Sequence, residues 1–459
     1  MSEQKVLSDI LIKNGRLIDA ASETDCIADI LIKNGKVEKI QKKVSAEKIG
    51  NAENSENTEN LLRVTCENSN GYVDSNVTVI DAEGRFVMPG LIDLHVHFRD
   101  PGFTYKETIH TGALAAAHGG VTTVCPMPNT KPVIDNPEIV KETVDRSKKE
   151  ACINVLPVGA VTIGQMGKEV TDIKGMADNG ICAISEDGKS VMNSNVYRQA
   201  MKIAKECDIP VMAHCEDINL VAGGVMNADN NADKLGLKGI SNAVEDIIVA
   251  RDILLAKETG VKLHLCHCST KDSVRMVKEA KEDGVNVTAE VCPHHFILST
   301  DDIPENNGNY KMNPPLRSKE DVQALKEGLR DGIMEVISTD HAPHSEEEKS
   351  RGFEKSPFGI VGLETSAALT YTELVLTGYL TPMQMVEKMS YNPAKILGID
   401  KGRIHEGSVA DIVIFNPDAE YEIDVNEFAS MGKNTPFAGK KVKGKVEYTI
   451  CGGKVVYPF

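Results

Sequence analysis

No stretch of this 459-residue chain approaches the run of about 20 apolar side chains that spans a bilayer. The first residues, Met1 to Gly15, carry lysines and acids without a hydrophobic signal core or a small-residue cleavage site, so the expected location is cytoplasmic. Positive charge is in short supply: 51 Lys and Arg face 68 Asp and Glu, a formal net charge of -17. A field of that sign repels phosphate and argues against nucleic acid and anionic membrane surfaces as partners. It still permits a local basic site for a small carboxylate. Cys-x-x-Cys pairs are missing from the eleven cysteines, which leaves no thiolate metal site of the common spacing. Cys125, Cys182, Cys215, Cys266, Cys268 and Cys292 lie in apolar, strand-like runs and read as small buried hydrophobes. Cys266 and Cys268 flank His267, but alternation along a strand points them away from it.

What is present is an ordinary globular composition, 41% hydrophobic and 26% charged, in a chain long enough for a large barrel with an added module. Two similar pieces open it, Ile10 to Ile18 and Ile30 to Ile40, each a β-rich run broken by Asn-Gly, a hairpin signal. Ser45 to Asn76 is rich in Asn, Glu and Ser, and its middle, about 45–60, reads as a flexible surface excursion. Strand character returns at Ala410–Phe415, Val446–Ile450 and Lys454–Tyr457, with a Gly452-Gly453 turn. The expected organisation is a composite β domain from residues 1–86 and 400–459, around a unit spanning 87–399.

That middle unit repeats a pattern. Apolar strands are expected near 87–98, 120–127, 153–161, 180–185, 210–214, 262–268, 286–292 and 335–339. Amphipathic helices such as Glu138–Lys149, Tyr197–Glu206, Ala243–Lys257 and Val274–Glu282 fall between them. Strand and helix alternating eight times define an α/β fold of the (β/α)8 TIM-barrel type. An open doubly wound sheet would want a glycine-rich phosphate turn after its first strand, and none occurs.

Barrel chemistry sits at the C-terminal strand ends, and polar clusters stand at most of them. The first strand ends in His95, His97 and Arg99; His95 and His97 leave one face two residues apart and can grip one metal ion. Met127-Pro-Asn-Thr130, Ser185-Glu-Asp-Gly188, His214-Cys-Glu-Asp217, His267-Cys-Ser-Thr270 and Thr339-Asp-His-Ala-Pro-His344 follow at later ends. Neutral imidazole with carboxylate suits a zinc-like ion, and two ions fit if one acid bridges them. His110, His118, His264 and His405 read as ordinary structural residues, and His294 and His295 are left without a role. The charged stretch Ser345–Lys355 reads as a solvated loop, with a closing lid as the sharper alternative.

The Asp-x-His-x-His start and the strand-end residues resemble the amidohydrolase superfamily. Within it, HVHFRDPG (95–102), MPNT (127–130), SEDG (185–188), AHCED (213–217), YKMNPPLR (310–317), STDHAPH (338–344) and SPFGIVGLET (356–365) resemble the dihydroorotases. That resemblance implies one or two zinc ions: His95, His97 and Asp340 at the first, His214 and His267 at the second, and Asp187 bridging. Many relatives bridge with a carboxylated lysine, which this chain lacks there. Asp187 rather than Glu186 is expected to replace it, because Glu186 alternates to the other side. Asp340 is implied as the catalytic base and then acid. Arg99, Asn129 and His344, helped by Asn313 and the Phe358-Gly359 loop, are implied as contacts to a carboxylated ring substrate. The implied reaction is reversible cyclisation of N-carbamoyl-L-aspartate to L-dihydroorotate in pyrimidine synthesis. Allantoinase and dihydropyrimidinase or hydantoinase are the rival activities. A homodimer, or association with aspartate transcarbamoylase (even as an inactive scaffold), completes the expected partners.

Overall fold

The computed structural model describes residues 9–43 and 77–459. The surface excursion expected at 45–60 therefore lies outside the described residues. At the N-terminus, β1 (Asp9–Asp19), β2 (Thr24–Lys33) and β3 (Lys36–Lys42) form an antiparallel meander, while β4 (Val77–Asp81) and β5 (Phe86–Pro89) run parallel to β1. The C-terminal strands β17 (Ile412–Glu422), β18 (Lys441–Cys451) and β19 (Lys454–Tyr457) complete the same sheet, because β17 pairs antiparallel with β5. Ile10, Ile12, Leu17, Ile30 and Ile32 thus share one apolar cluster with Ile412, Ile414 and Ile450. The two chain ends are joined by burial of β-branched side chains, which suit a pleated surface.

The barrel begins one residue after β5. Its strands are β6 (Leu91–Val96), β7 (Val121–Pro126), β8 (Asn154–Val155) with β9 (Val158–Ala160), β10 (Ala183–Ser185), β11 (Val211–Ala213), β14 (Leu263–Leu265), β15 (Val287–Val291) and β16 (Val336–Ile337). A separate short pair, β12 (Met226–Asn227) and β13 (Gly239–Ile240), decorates the connection after β11. All barrel pairs are parallel, and a parallel bridge from Val96 to His341 closes the ring. Counting β8 and β9 as one interrupted strand gives the eight of a (β/α)8 barrel. Nearly every strand residue is buried, as expected where helices cover one face and the barrel core fills the other.

The helices form where the amphipathic pattern places them. Pro137–Glu150 starts with Asn136 accepting a hydrogen bond from the Ile139 N–H and with proline in the first turn. Lys271–Glu282 is capped in the same way by Thr270 and turns Val274, Val277 and Ala280 inward.

Two local readings fail for physical reasons. The apolar run Val87–Phe98 is two strands parted at Gly90, whose missing Cβ would sit 2.2 Å from Thr122 Oγ1. Both halves are buried, so no change of polarity marks the break. Asn14-Gly15 is not a hairpin turn but a bulge within β1, with Asn14 at φ 56°. Gly15 is needed there because a Cβ would lie 2.3 Å from Val87 Cγ2. Asn34-Gly35 does make the tight turn between β2 and β3, both residues at positive φ (49° and 79°).

Candidate active site

Three residues at the C-terminal strand ends adopt left-handed backbone although none is glycine: Arg99 at φ 60°, His267 at φ 34° and Asp340 at φ 48°. Each such conformation costs about 1 kcal/mol or more. The turn folds their side chains back into the barrel mouth instead of letting the strand carry them outward. Asp93 stabilises this end, its Oδ1 accepting the His95 N–H (3.0 Å) and its Oδ2 the Thr339 hydroxyl (2.6 Å). The first strand and the eighth are thereby fixed to each other beside the cluster.

Asp187 is the centre. Its Oδ1 lies 3.2 Å from His95 Nε2, 3.4 Å from His214 Nδ1 and 3.7 Å from His267 Nε2, and its Oδ2 lies 3.5 Å from His97 Nε2. Asp340 Oδ1 lies 3.0 Å from His97 Nε2 and 3.7 Å from His95 Nε2. All six residues expected as ligands are therefore together and buried. Burial alone would raise the Asp187 carboxyl, but the surrounding imidazoles hold it well below the ordinary range. Against the same burial penalty, the His97 contact and the His95 field bring Asp340 down to about 2. Both are carboxylates at neutral pH.

The ring tautomers follow from the partners. Glu290 can only accept, so His95 Nδ1 donates to it (2.9 Å), which turns Nε2 toward Asp187. Asn129 donates through Nδ2 to Asp187 Oδ2 (2.9 Å), so its Oδ1 accepts from His97 Nδ1 (2.9 Å), and the Nε2 of this ring, which burial keeps neutral, holds a lone pair. His214 Nε2 donates to Glu216 (3.4 Å), and its Nδ1 faces His267 Nε2 at 3.0 Å. His95 Nε2 and His267 Nδ1 are buried without a hydrogen bond. Ring nitrogens and carboxylates converge, and among the described residues no Lys or Arg forms an ion pair with Asp187 or Asp340; against burial, Asp187 raises His95, and Asp187 with Glu216 raises His214 to about 10, protons that a bound divalent ion would displace. This donor set fits one or two divalent ions of zinc type.

A cavity of about 140 Å³ opens onto this cluster, lined by His97, Arg99, Asn129, Asp187, Gly188, His214, His267, Asn313, Asp340, Ala342, Phe358 and Gly359. Of the residues expected at the site, only His95 and His344 lie behind its wall. Arg99 donates through Nε to the Pro343 carbonyl (3.2 Å) and forms no carboxylate ion pair among the described residues. His344 donates through Nε2 to the Phe358 carbonyl (2.8 Å), while Lys106 Nζ donates to its Nδ1 (3.1 Å). Burial, with Arg99 and Lys106 nearby, keeps that imidazole neutral. Asn313 Nδ2 donates to Glu216 Oε1 (2.9 Å), tying the cavity wall to the carboxylate that holds His214. Gly359, at φ 125°, passes so close to Ala342 that a Cβ would lie 2.5 Å from that methyl.

The stretch Ser345–Lys355 is not a solvated loop. It forms two short helices, Glu346–Lys349 and Gly352–Lys355, with Lys349 and Phe353 buried. Glu186 turns away from the cavity to the Thr162 N–H (3.0 Å), while Cys266 packs beside His95 and Glu290 with its thiol pushed up to about 12 by burial. His264 is a buried, fully bonded residue between Thr288 Oγ1 (2.8 Å) and Glu290 Oε2 (3.0 Å). His294 and His295 are buried and neutral, with burial pushing His295 down to about 4.

Sequence reasoning missed Glu290 and Glu216. Glu290 is fully buried on β15 and receives His95 Nδ1, His264 Nε2 and the His267 N–H (3.2 Å). Its signal was available: a carboxylate inside the apolar run Val287–Val291 demands buried partners.

Residues 86–456 match the amidohydrolase family. A metal-ready mouth on a (β/α)8 barrel accords with that match, and the chain belongs to this family. It is 48% identical to the dihydroorotase of Clostridioides difficile (strain 630) over 448 residues, covering 98% of this chain and 99% of that one. It is 50% identical to the dihydroorotase of Pelotomaculum thermopropionicum over 378 residues, covering 82% and 88%. Among solved structures, the L-hydantoinase (dihydropyrimidinase) of Arthrobacter aurescens superposes with a TM-score of 0.82 at 28% identity, covering 98% of this chain and 96% of that one. Within the amidohydrolases the chain thus stands with the dihydroorotases, which are cyclic amide hydrolases. No helix among the described residues is long and apolar enough to cross a membrane.

Proposed function

We propose that this chain interconverts N-carbamoyl-L-aspartate and L-dihydroorotate, using zinc held by His95, His97, Asp187, His214, His267 and Asp340. The observation that carries the substrate assignment is Arg99: a guanidinium with no carboxylate partner, lining the same cavity as the histidine and aspartate cluster. A planar fork of that kind takes a carboxylate through two parallel charge-assisted bonds. Zinc, when bound, brings a water's pKa to about 7 and polarises a carbonyl, which suits attack on an unactivated ring amide.

The chain's own groups do the rest. Asp340 is ionised, and with Oδ1 turned to His97 Nε2 (3.0 Å) its Oδ2 is left to take the attacking water's proton and pass it to the departing ring nitrogen. Arg99 holds the ring carboxylate, and Asn129 stands beside it with its amide on Asp187. Asn313, Phe358 and Gly359 wall the ring in and limit the water that reaches it.

The 25–28% identical hydantoinase and dihydropyrimidinase structures keep a cyclic-imide activity as the second reading. Turnover of dihydroorotate, hydantoin and allantoin by the same preparation separates the two. Removal of metal by chelation is expected to abolish dihydroorotate turnover, and zinc to restore it. Undiminished turnover with no bound metal would refute the mechanism. Loss of the metal count without any turnover of the three substrates would favour a scaffold for another enzyme of the pathway, such as aspartate transcarbamoylase.

A further inference from the structure

Lys349 ends the short helix Glu346–Lys349 and is only 4% exposed. Its neighbour Glu348 is engaged by Lys106 at 2.9 Å, and Lys349 forms no carboxylate ion pair among the described residues. The ammonium is caged instead by three backbone carbonyls: Lys311 O at 3.0 Å, Pro357 O at 3.1 Å and Gly359 O at 2.8 Å. Three N–H donors meet three acceptors.

Each carbonyl belongs to a segment that walls the cavity. Lys311 precedes Asn313 by two residues, and Pro357 and Gly359 flank Phe358. Lys349 itself lies on the segment that leaves His344. The Gly359 N–H also donates to Lys311 O (3.0 Å), and Asn434 Nδ2 to Gly359 O (3.0 Å), so the three segments meet at one knot. Lys349 O accepts in turn from Ser356 Oγ (3.1 Å). The remaining charges near it are Arg99, Lys311 and Glu348, and Lys311 stands 4.4 Å from the Phe358 ring centroid.

A buried ammonium without a counter-ion is an expensive way to fill space, and burial pushes this one down to about 7. Methionine would occupy a similar volume without that penalty. The charge is explained by what it joins, because an apolar side chain cannot bond three carbonyls on two other segments. We propose that Lys349 is a positioning residue whose ammonium fixes the Asn313 segment, the Phe358-Gly359 loop and the His344 segment in one register, and so sets affinity for the ring substrate. The inference rests on the dihydroorotate reading of the site.

The test compares zinc-loaded, full-length wild type with Lys349→Met in a dihydroorotate assay, together with zinc per chain and thermal midpoint. The variant is expected to raise KM about ten- to a hundred-fold while kcat stays within about three-fold and zinc per chain is unchanged. Lys349→Gln, which keeps two N–H donors, is expected to fall between them and serves in place of Lys349→Met if that variant does not fold. A purely structural lysine would lower the thermal midpoint and leave KM within about two-fold of wild type, and that result overturns the proposal. So does a fall in kcat without a rise in KM. An inactive wild type refutes the functional reading and the inference with it; an active wild type with an unchanged variant KM refutes the inference alone.

Discussion

Glu290→Gln isolates what a buried charge does for the proposed metal centre. The carboxylate accepts from His95 Nδ1 (2.9 Å) and the His267 N–H (3.2 Å) through Oε1, and from His264 Nε2 (3.0 Å) through Oε2. Glutamine has the same shape, and its carbonyl can keep the Oε1 contacts. Its amide can donate to His264 if that ring moves its proton to Nδ1, where Thr288 Oγ1 stands at 2.8 Å. Every group stays bonded, so the fold is expected to survive. What disappears is the negative charge that raises the basicity of His95. Outer carboxylates of this kind are worth about 10- to 100-fold in metal affinity, or roughly 1.4–2.7 kcal/mol. Zinc competition against a chelator of known affinity, run beside a thermal midpoint of the metal-free protein, reads the two effects separately. The expected result is weaker zinc binding with the metal-free midpoint little changed. Zinc affinity within about two-fold of wild type would refute the reasoning, since His95 would then need no carboxylate behind it. Glu290→Ala is the wrong experiment, because stranded buried donors cost about 1–3 kcal/mol each and the whole strand end would loosen.

Other consequences can be checked directly. Gly359→Ala must place a methyl 2.5 Å from Ala342 Cβ at φ 125°, and is expected to lose about 2–5 kcal/mol in a denaturant titration and to raise KM; a neutral substitution would show that the loop is not held where the structure has it. His295 is buried, bonded to the Pro314 carbonyl at 2.9 Å and lowered by burial to about 4. Between its unfolded value near 6.5 and about 4, only the unfolded chain binds the proton, so its contribution to stability is complete above pH 6.5 and declines by about 3 kcal/mol as pH falls through that window. His295→Asn is expected to flatten the acid slope of the thermal midpoint over the same range, and an unchanged slope would refute the assignment.

The fold was legible where local signals and tertiary packing agree. Helix Ala243–Thr259 begins where the pattern predicts, and the Asn34-Gly35 turn forms because both residues accept positive φ and the flanking strands pair. Asn14-Gly15 carries the same dipeptide and the opposite outcome. Its fate is decided by Val87, 72 residues away in the chain and in van der Waals conflict with any side chain at Gly15. No local reading contains that contact. The break at Gly90 was hidden for a related reason: both strands it separates are buried, so the hydrophobic run continues across a change of sheet.

At the site, alternation along a strand end was enough to order two adjacent acids. Successive side chains leave opposite faces, so Asp187 enters the histidine cluster while Glu186 turns to Thr162. Alternation says nothing about distance, and Asn129 shows the consequence. The family likeness implies that it contacts substrate, yet its carbonyl is engaged by His97 and its amide by Asp187. The amide reaches the Asp187 carbonyl as well, at 3.5 Å, so no more than one weakly held hydrogen is left for a ligand. A neutral donor with a single free hydrogen cannot balance a substrate carboxylate, and His344 is neutral and bonded to the Phe358 carbonyl. The anion's charge therefore falls on Arg99, the one guanidinium lining the cavity, whose strained backbone at φ 60° is what turns it there.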